Sequence, residues 1–309
     1  MVREQKAISA DIGGTNMRVA LVDSSGKVID KRKQPSHDGN MLERLISMVS
    51  ELMSSDVAGI GIAIAGVIDR DRQVVVHSPN LEEAEGKELA GALGERFSIP
   101  VFIENDANAA ALGEHWAGAG RGLNSFVMLT LGTGIGGGVI HNGRLLDVAA
   151  ELGHITVEAE GIRCLCGNNG CLESYASARA MVTRVVDALE KGEDSMLRQC
   201  CEGNIYKITA EDIYNFALEG DILARETLKE AGRYLGVGIA SLVNIFSPEA
   251  VIIGGGLVGA WNIIVEEAKK EAHRRSFRSL IEDVKFLPAS LGDDAGLVGA
   301  ASMILGCRV

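Results

Sequence analysis

A chain of 309 residues with 47% hydrophobic and 23% charged content is globular in composition and long enough for two domains. Its formal net charge of -12 argues against general nucleic-acid binding, which needs many lysines and arginines to neutralise phosphates. Its apolar stretches are short and broken by glycine, and Met1–Ile8 carries Arg3, Glu4 and Lys6 in place of a secretory apolar core. No membrane partner is therefore expected, and the location is read as cytoplasmic.

The chain opens with an apolar run to Asp11, a turn at Gly13 and Gly14, and a second apolar run from Met17 to Asp23, which predicts a hairpin with a glycine-rich tip. Helical spacing over 41–53 precedes a buried strand over 58–65, and a helix over 86–97 precedes a strand over 101–104. Asn105 and Asp106 follow directly, ahead of a helix over 107–116. At 126–140 the opening arrangement recurs, as strand, glycine turn and strand, which predicts an internal duplication. A cysteine cluster comes next, followed by helical segments over 177–191, 209–219 and 224–244. A strand over 250–253, a turn at Gly254–Gly256, a helix over 260–274, a strand over 284–287 and a helix over 295–305 finish the chain. The expected division is a small domain over 1–118, completed by the C-terminal helix 295–309, and a larger one over 119–294.

The 38 glycines concentrate in a few loops beside apolar strands, where backbone must approach something closely. The Gly-x-Gly-x-x-Gly spacing occurs at Gly132, Gly134 and Gly137 and again at Gly254, Gly256 and Gly259. The first copy leads into a strand and lacks the helix N-terminus that a dinucleotide pyrophosphate needs; the second lies late, with little room for a complete Rossmann unit. The chain contains no Gly-Lys-Ser or Gly-Lys-Thr, so it has no P-loop. A glycine turn between two strands still presents backbone N–H groups to an anion. Asp11 beside such a turn makes sense with Mg2+ between carboxylate and phosphate, or as the cap of a tight hairpin. Two such hairpins and the late glycine turn favour a nucleoside triphosphate held from several sides.

Asn105 and Asp106 at the carboxyl end of a strand stand where α/β clefts form. From the residues alone they read as caps of the following helix, which short polar residues often are. His154 followed by Cys164, Cys166 and Cys171 is the sharpest pattern in the chain: one imidazole and three thiolates close a tetrahedral zinc shell, so that metal would be structural. Glu151 and Glu173 flank this set, so fixing the ligands would also fix two carboxylates, with the phosphate loops expected to lie elsewhere. His77, His115 and His141 receive no role, the run Glu82–Glu88 reads as a solvated loop and helix start, and Cys200, Cys201 and Cys307 read as unpaired.

Asp11-Ile-Gly-Gly-Thr15, Glu104-Asn-Asp-Ala-Asn108 and Leu131-Gly-Thr-Gly-Ile-Gly-Gly-Gly138 resemble the motifs of ROK family glucokinases, and the resemblance covers nearly the whole chain. It implies an α/β fold of duplicated ribonuclease-H-like, actin-like ATPase domains with a central cleft, and phosphoryl transfer from Mg-ATP to a hexose. It further implies Asp106 as catalytic base and sugar contacts from Gly66, Asn80, Asn105, Asp106, Glu151, His154 and Glu173. Gly13, Gly14 and Thr15, then Thr133 and Gly134, would face the triphosphate, Asp11 its magnesium, and Gly254 and Gly255 the adenosine. The family shares the His-Cys-Cys-Cys zinc signature. This chain departs from the pattern at Ala65, where the family often has proline, and after Ser78-Pro-Asn-Leu81, where it reads Glu82-Glu-Ala-Glu-Gly86. Glucose is the first substrate expected, with N-acetylglucosamine, N-acetylmannosamine, fructose and allose as alternatives, and a homo-oligomer, dimer or tetramer, is expected. A ROK repressor would need a DNA reader ahead of Asp11, where only ten residues stand, and a chaperone-like switch would not call for the zinc pattern.

Overall fold

The opening apolar run forms β1 (Lys6–Ile12), and the glycine turn returns the chain as β2 (Asn16–Asp23), antiparallel, with Ile12 opposite Met17. The computed structural model describes residues 5–37, 39–78 and 81–306. Strand β3 (Val28–Pro35) extends the hairpin outward. The sequence reading missed it because Asp30, Lys31, Arg32 and Lys33 give it no apolar face, a composition typical of a sheet edge. Helix α1 (Met41–Leu52) is capped by Asn40, whose side chain accepts from the Leu42 and Glu43 N–H groups.

Strand β4 (Val57–Ile64) then joins β1 in parallel. A small hairpin of β5 (Val67–Asp69) and β6 (Val74–His77), also unforeseen, leads to α2 (Leu89–Phe97), β7 (Val101–Asn105) and α3 (Asp106–Ala117). The next hairpin is β8 (Phe126–Leu131) and β9 (Ile135–His141), followed by the short β10 (Arg144–Leu145). Helices α4 (Glu173–Ala176), α5 (Ala178–Glu190), α6 (Ala210–Glu219) and α7 (Ile222–Phe246) follow. Strand β11 (Ala250–Gly254), α8 (Trp261–Arg275), α9 (Arg278–Ile281), β12 (Lys285–Pro288) and α10 (Ala295–Leu305) complete the chain.

The two five-stranded sheets have the same internal order, β3-β2-β1-β4-β7 and β10-β9-β8-β11-β12. In the first, the antiparallel hairpin β1–β2 is extended on one side by β3 and on the other by the parallel strands β4 and β7, which need helical crossovers; in the second, β10 pairs antiparallel with β9 and β12 parallel with β11. This is the duplication that the repeated glycine hairpins predicted.

Contacts group the residues into two units: Met1–Met128 with Gly138–Ala150 and Ala289–Val309, and Leu129–Gly137 with Glu151–Pro288. In the first, period-two alternation along β1 sends Ile8, Ala10 and Ile12 into a core with Met48, Val49, Ile60 and Leu93, while Ala7 packs with Leu297 and Ala301 of α10. Helices α3 and α10 approach so closely that a Cβ on Gly299 would lie 1.6 Å from the Ala109 carbonyl oxygen, so no larger residue fits there. In the second unit, α7 is the central helix, with Leu228, Leu235, Ile239 and Val243 fully or nearly fully buried and Gly232 and Gly236 facing α8. No helix among the described residues is long and apolar enough to cross a membrane.

Candidate active site

The first unit carries Asp11 at the end of β1, opposite Arg18 on β2, and the Arg18 guanidinium donates to Asp11 Oδ2. Burial pushes the Asp11 carboxyl above its ordinary range; Arg18 pulls it back, and the charges of Asp294 and Asp293 push it further up. Gly296, in the first turn of α10, leaves its carboxylate room: a Cβ there would stand 2.9 Å from Asp11 Oδ2. The turn after β1 is closed by Gly13 N–H donating to the Asn16 carbonyl at 3.0 Å, so Gly13, Gly14 and Thr15 form the tip of the hairpin. The Ser36 hydroxyl donates to the Gly13 carbonyl at 2.5 Å and steadies the tip from β3's end.

Asn105 ends β7 and caps α3. Its Oδ1 accepts from the Ala107 and Asn108 N–H groups at 2.9 and 3.1 Å, and its Nδ2 donates to the Gly66 carbonyl at 2.9 Å. The capping reading of this motif therefore holds for Asn105, whose amide ties the helix start to the Gly66 loop. Asp106 is the first residue of α3, and its Oδ1 accepts from the Ala107 N–H at 2.9 Å. Gly66 adopts φ 136°, and a Cβ there would meet the His77 carbonyl oxygen at 2.6 Å, so only glycine fits. At Ala65, where the family often has proline, the N–H donates to the Ile12 carbonyl at 3.1 Å. Proline lacks that donor, so the departure adds a bond between the Gly66 loop and the end of β1.

A cleft of about 250 Å³ lies against these residues, lined by Gly66, Arg70, Glu104, Asn105, Asn108 and Asp147 among others. Glu104 is almost fully buried. It takes a two-pronged ion pair from Arg70, at 2.6 and 3.1 Å, and also accepts from the Asn105 N–H and Asn108 Nδ2. Asp147 accepts from the remaining Arg70 nitrogen at 2.6 Å. Asn108 is buried, and its Oδ1 has no hydrogen-bond partner among the described residues. Sequence patterns give Arg70, Glu104, Asn108 and Asp147 no role; Glu104 and Asn108 fall within the quoted Glu104–Asn108 motif, and nothing in the sequence points to Arg70 or Asp147. Asn80 lies outside the described residues. Its neighbour Ser78 is buried and donates to the Ala65 carbonyl at 2.6 Å, while its N–H is held by Glu85 at 2.7 Å. Glu85 and Glu83, which accepts from the Met41 N–H, are thus structural acceptors within a run read as solvated.

The second unit carries the other set. His154 and Cys164, Cys166 and Cys171 converge, with all four donor atoms within 4.8 Å of one another. His154 Nδ1 stands 3.6 Å from Cys164 Sγ, and Cys166 Sγ stands 3.6 Å from Cys171 Sγ, separations that suit a tetrahedral site with bonds of about 2.0–2.3 Å. The other ring nitrogen, Nε2, faces the Glu151 carboxylate at 4.0 Å. Burial raises the Cys164 thiol, but hydrogen bonds from the Cys166 backbone, Ser174 and the two other thiols outweigh it and bring it to about 7. Burial and hydrogen bonds with Cys166 and Cys164 push the Cys171 thiol up to about 12. The donor set and its spacing fit a zinc ion.

Glu173 leaves this cluster and reaches the second glycine turn. Its Oε2 accepts from the Ile135 N–H at 2.8 Å and would stand 2.4 Å from a Cβ on Gly134. Gly153 packs against the Ile135 carbonyl, and the Ala178 N–H donates to the Gly132 carbonyl at 2.9 Å. The expectation that the phosphate loops lie apart from the cysteine cluster is therefore wrong for this loop: the turn carrying Thr133 and Gly134 is braced by residues adjoining the cluster. Gly255, at φ 86°, follows Gly254 at the end of β11 and abuts the Leu131 backbone, which brings the late glycine turn to the same loop.

The ROK family profile matches residues 7–306. A glucokinase from Thermotoga maritima is 37% identical over 311 residues, covering 97% of each chain. The crystal structure of a ROK family glucokinase from Streptomyces griseus in complex with glucose and AMPPNP is 34% identical, with a TM-score of 0.81 over 97% of this chain and 99% of that one. A xylose repressor from Caldicellulosiruptor bescii is 31% identical over 312 residues, 96% of this chain but 77% of the repressor.

Proposed function

The chain belongs to the ROK family, and on that premise we propose that this ATP-dependent sugar kinase phosphorylates a hexose hydroxyl, with glucose as its preferred substrate. The observation that carries the reading is the β7–α3 junction. It sets Asp106 beside Asn105, which lines a polar cleft together with the ion-paired Glu104 and with Asn108, whose Oδ1 has no hydrogen-bond partner among the described residues. A hydroxyl-rich ligand supplies the donors that such an acceptor needs, and an apolar ligand does not.

Asp106 takes the proton of the attacking hydroxyl as phosphorus is approached, the role of a positioned general base. Asn105 fixes the start of α3 and the Gly66 loop, and so holds Asp106 in place. Gly13, Gly14 and Thr15 at one turn, and Thr133 and Gly134 at the other, offer N–H and hydroxyl donors to phosphate oxygens. Gly254 and Gly255 take the adenosine side. Asp11, buried with one guanidinium, would hold the magnesium of Mg-ATP, which when bound neutralises phosphate charge. Glu151, His154 and Glu173, with Asn80, are proposed sugar contacts. His154 serves twice, with Nδ1 toward the thiols and Nε2 turned toward Glu151. A zinc ion held by His154, Cys164, Cys166 and Cys171 would be structural, since four protein donors leave no position for an activated water.

A second reading, a sugar-sensing regulator without turnover, is favoured by the likeness to the xylose repressor. An ATP-coupled assay over glucose, N-acetylglucosamine, N-acetylmannosamine, fructose and allose separates the two. We expect ADP release with glucose giving the highest kcat/KM. Sugar binding without ADP release from any of them supports the regulator, and a higher kcat/KM for another sugar reassigns the substrate.

A further inference from the structure

Between α5 and α6 the second unit carries another set of soft donors, unused by the reading above. Cys200 (φ -64°, ψ 149°) is followed by Cys201 (φ 52°, ψ 42°) and Glu202 (φ 58°, ψ 29°), both in the left-handed region that such side chains seldom adopt. In extended chain, neighbouring side chains point to opposite faces. Here the reversal puts both on one side, with Sγ atoms 3.3 Å apart. Asp212, in the first turn of α6, completes the group: one of its carboxylate oxygens and the two sulfurs all lie within 4.8 Å of one another. Its orientation is fixed by the helix start, since Oδ2 accepts from the Thr209 N–H and hydroxyl at 2.8 and 2.6 Å. Cys200 is buried and Cys201 half-buried, so the group is closed on one side and reachable on the other.

We propose that Cys200, Cys201 and Asp212 bind a thiophilic divalent cation of the zinc or cadmium class, at a site separate from the His154 cluster. Paired sulfurs select such ions, and a carboxylate oxygen supplies a third donor, leaving the fourth position to solvent. Binding replaces two S–H bonds with two metal–sulfur bonds and releases two protons; nothing is oxidised or reduced. A disulfide between the two cysteines is the competing state, and it would leave no thiolate for a cation.

The test is a Cd2+ titration of the reduced full-length protein, read by sulfur-to-cadmium charge-transfer absorbance and by elemental analysis. Wild type is expected to take up one equivalent more than Cys201→Ser, a variant at the half-buried position that keeps the Cys200 packing. Asp212→Asn should weaken the second equivalent by about tenfold or more, the range for losing a group that shapes a metal site. Cys164→Ser removes the other cluster and leaves the Cys200 pair intact, so it should keep the second equivalent and its absorbance. Equal uptake by wild type and Cys201→Ser overturns the proposal, as does loss of both equivalents in Cys164→Ser. Protein two hydrogen masses lighter that takes up no second cadmium also overturns it, in favour of a disulfide.

Discussion

At Asp11 a buried carboxylate has one guanidinium beside it and two further carboxylates, Asp293 and Asp294, acting on it from the chain leading into α10. A site so short of positive charge is suited to a divalent cation. We expect Asp11→Ala to lower kcat/KM for Mg-ATP by about a hundredfold or more, as when one fixed transition-state contact is removed. Sugar affinity by calorimetry should change by less than about tenfold in the same variant. Lost sugar affinity with intact ATP kinetics would move Asp11 to the sugar side. Arg70 sets a different test. Removing it as Arg70→Met leaves Glu104 buried without its cation, and should destabilise by roughly 2–3 kcal/mol, below the full cost for a buried pair because Arg70 retains 22% exposure. Adding Glu104→Gln should recover part of that loss; purely additive effects in chemical denaturation would mean that the pair is not coupled. Asp11, Asn105 and Asp106 stand out as candidates from their immediate neighbours in sequence, but Arg70 does not. Its partner lies 34 positions away, and Asp69-Arg70-Asp71-Arg72 looks like surface charge until the chain folds.

The helices and buried strands were legible as elements because their apolar periodicity is strong, and their ends fell within a few residues of the predicted ones. Strand β3 and the β5–β6 hairpin were not, since a polar edge strand and a three-residue strand carry no such signal. The mutual placement of elements was also hidden. Glu114 of α3 is fully buried and accepts from the N–H groups of Ala119, Ser290 and Leu291 at 2.6, 2.9 and 2.8 Å, with the Ser290 hydroxyl at 3.1 Å. One carboxylate thus pins both the chain leaving α3 and the chain entering α10. Glu114→Ala strands those donors, and a loss of about 3 kcal/mol is expected from unmet backbone groups. It should appear as a lower urea midpoint at unchanged slope. A variant within about 0.5 kcal/mol of wild type would show that water replaces the carboxylate.

Across the whole chain, the repeated glycine hairpins announced a duplication, and the matching strand order of the two sheets bears it out. The sequence could not show that Glu173 links the cysteine cluster to the glycine turn at Ile135, because that bond spans 38 positions. This contact changes what the zinc cluster should control. We expect Cys166→Ser to lower bound zinc and to raise the apparent KM for sugar and for Mg-ATP together, each by about tenfold or more. A rise confined to the sugar would mean that the brace on the glycine turn holds without the metal. The central claim is that a sugar hydroxyl attacks ATP with Asp106 as the base. Its most direct test is Asp106→Asn, which keeps shape while removing proton affinity, assayed for glucose phosphorylation and, by calorimetry, for glucose binding. The account predicts a kcat at least about a hundredfold below wild type with glucose affinity within about tenfold; a near-normal kcat would contradict it.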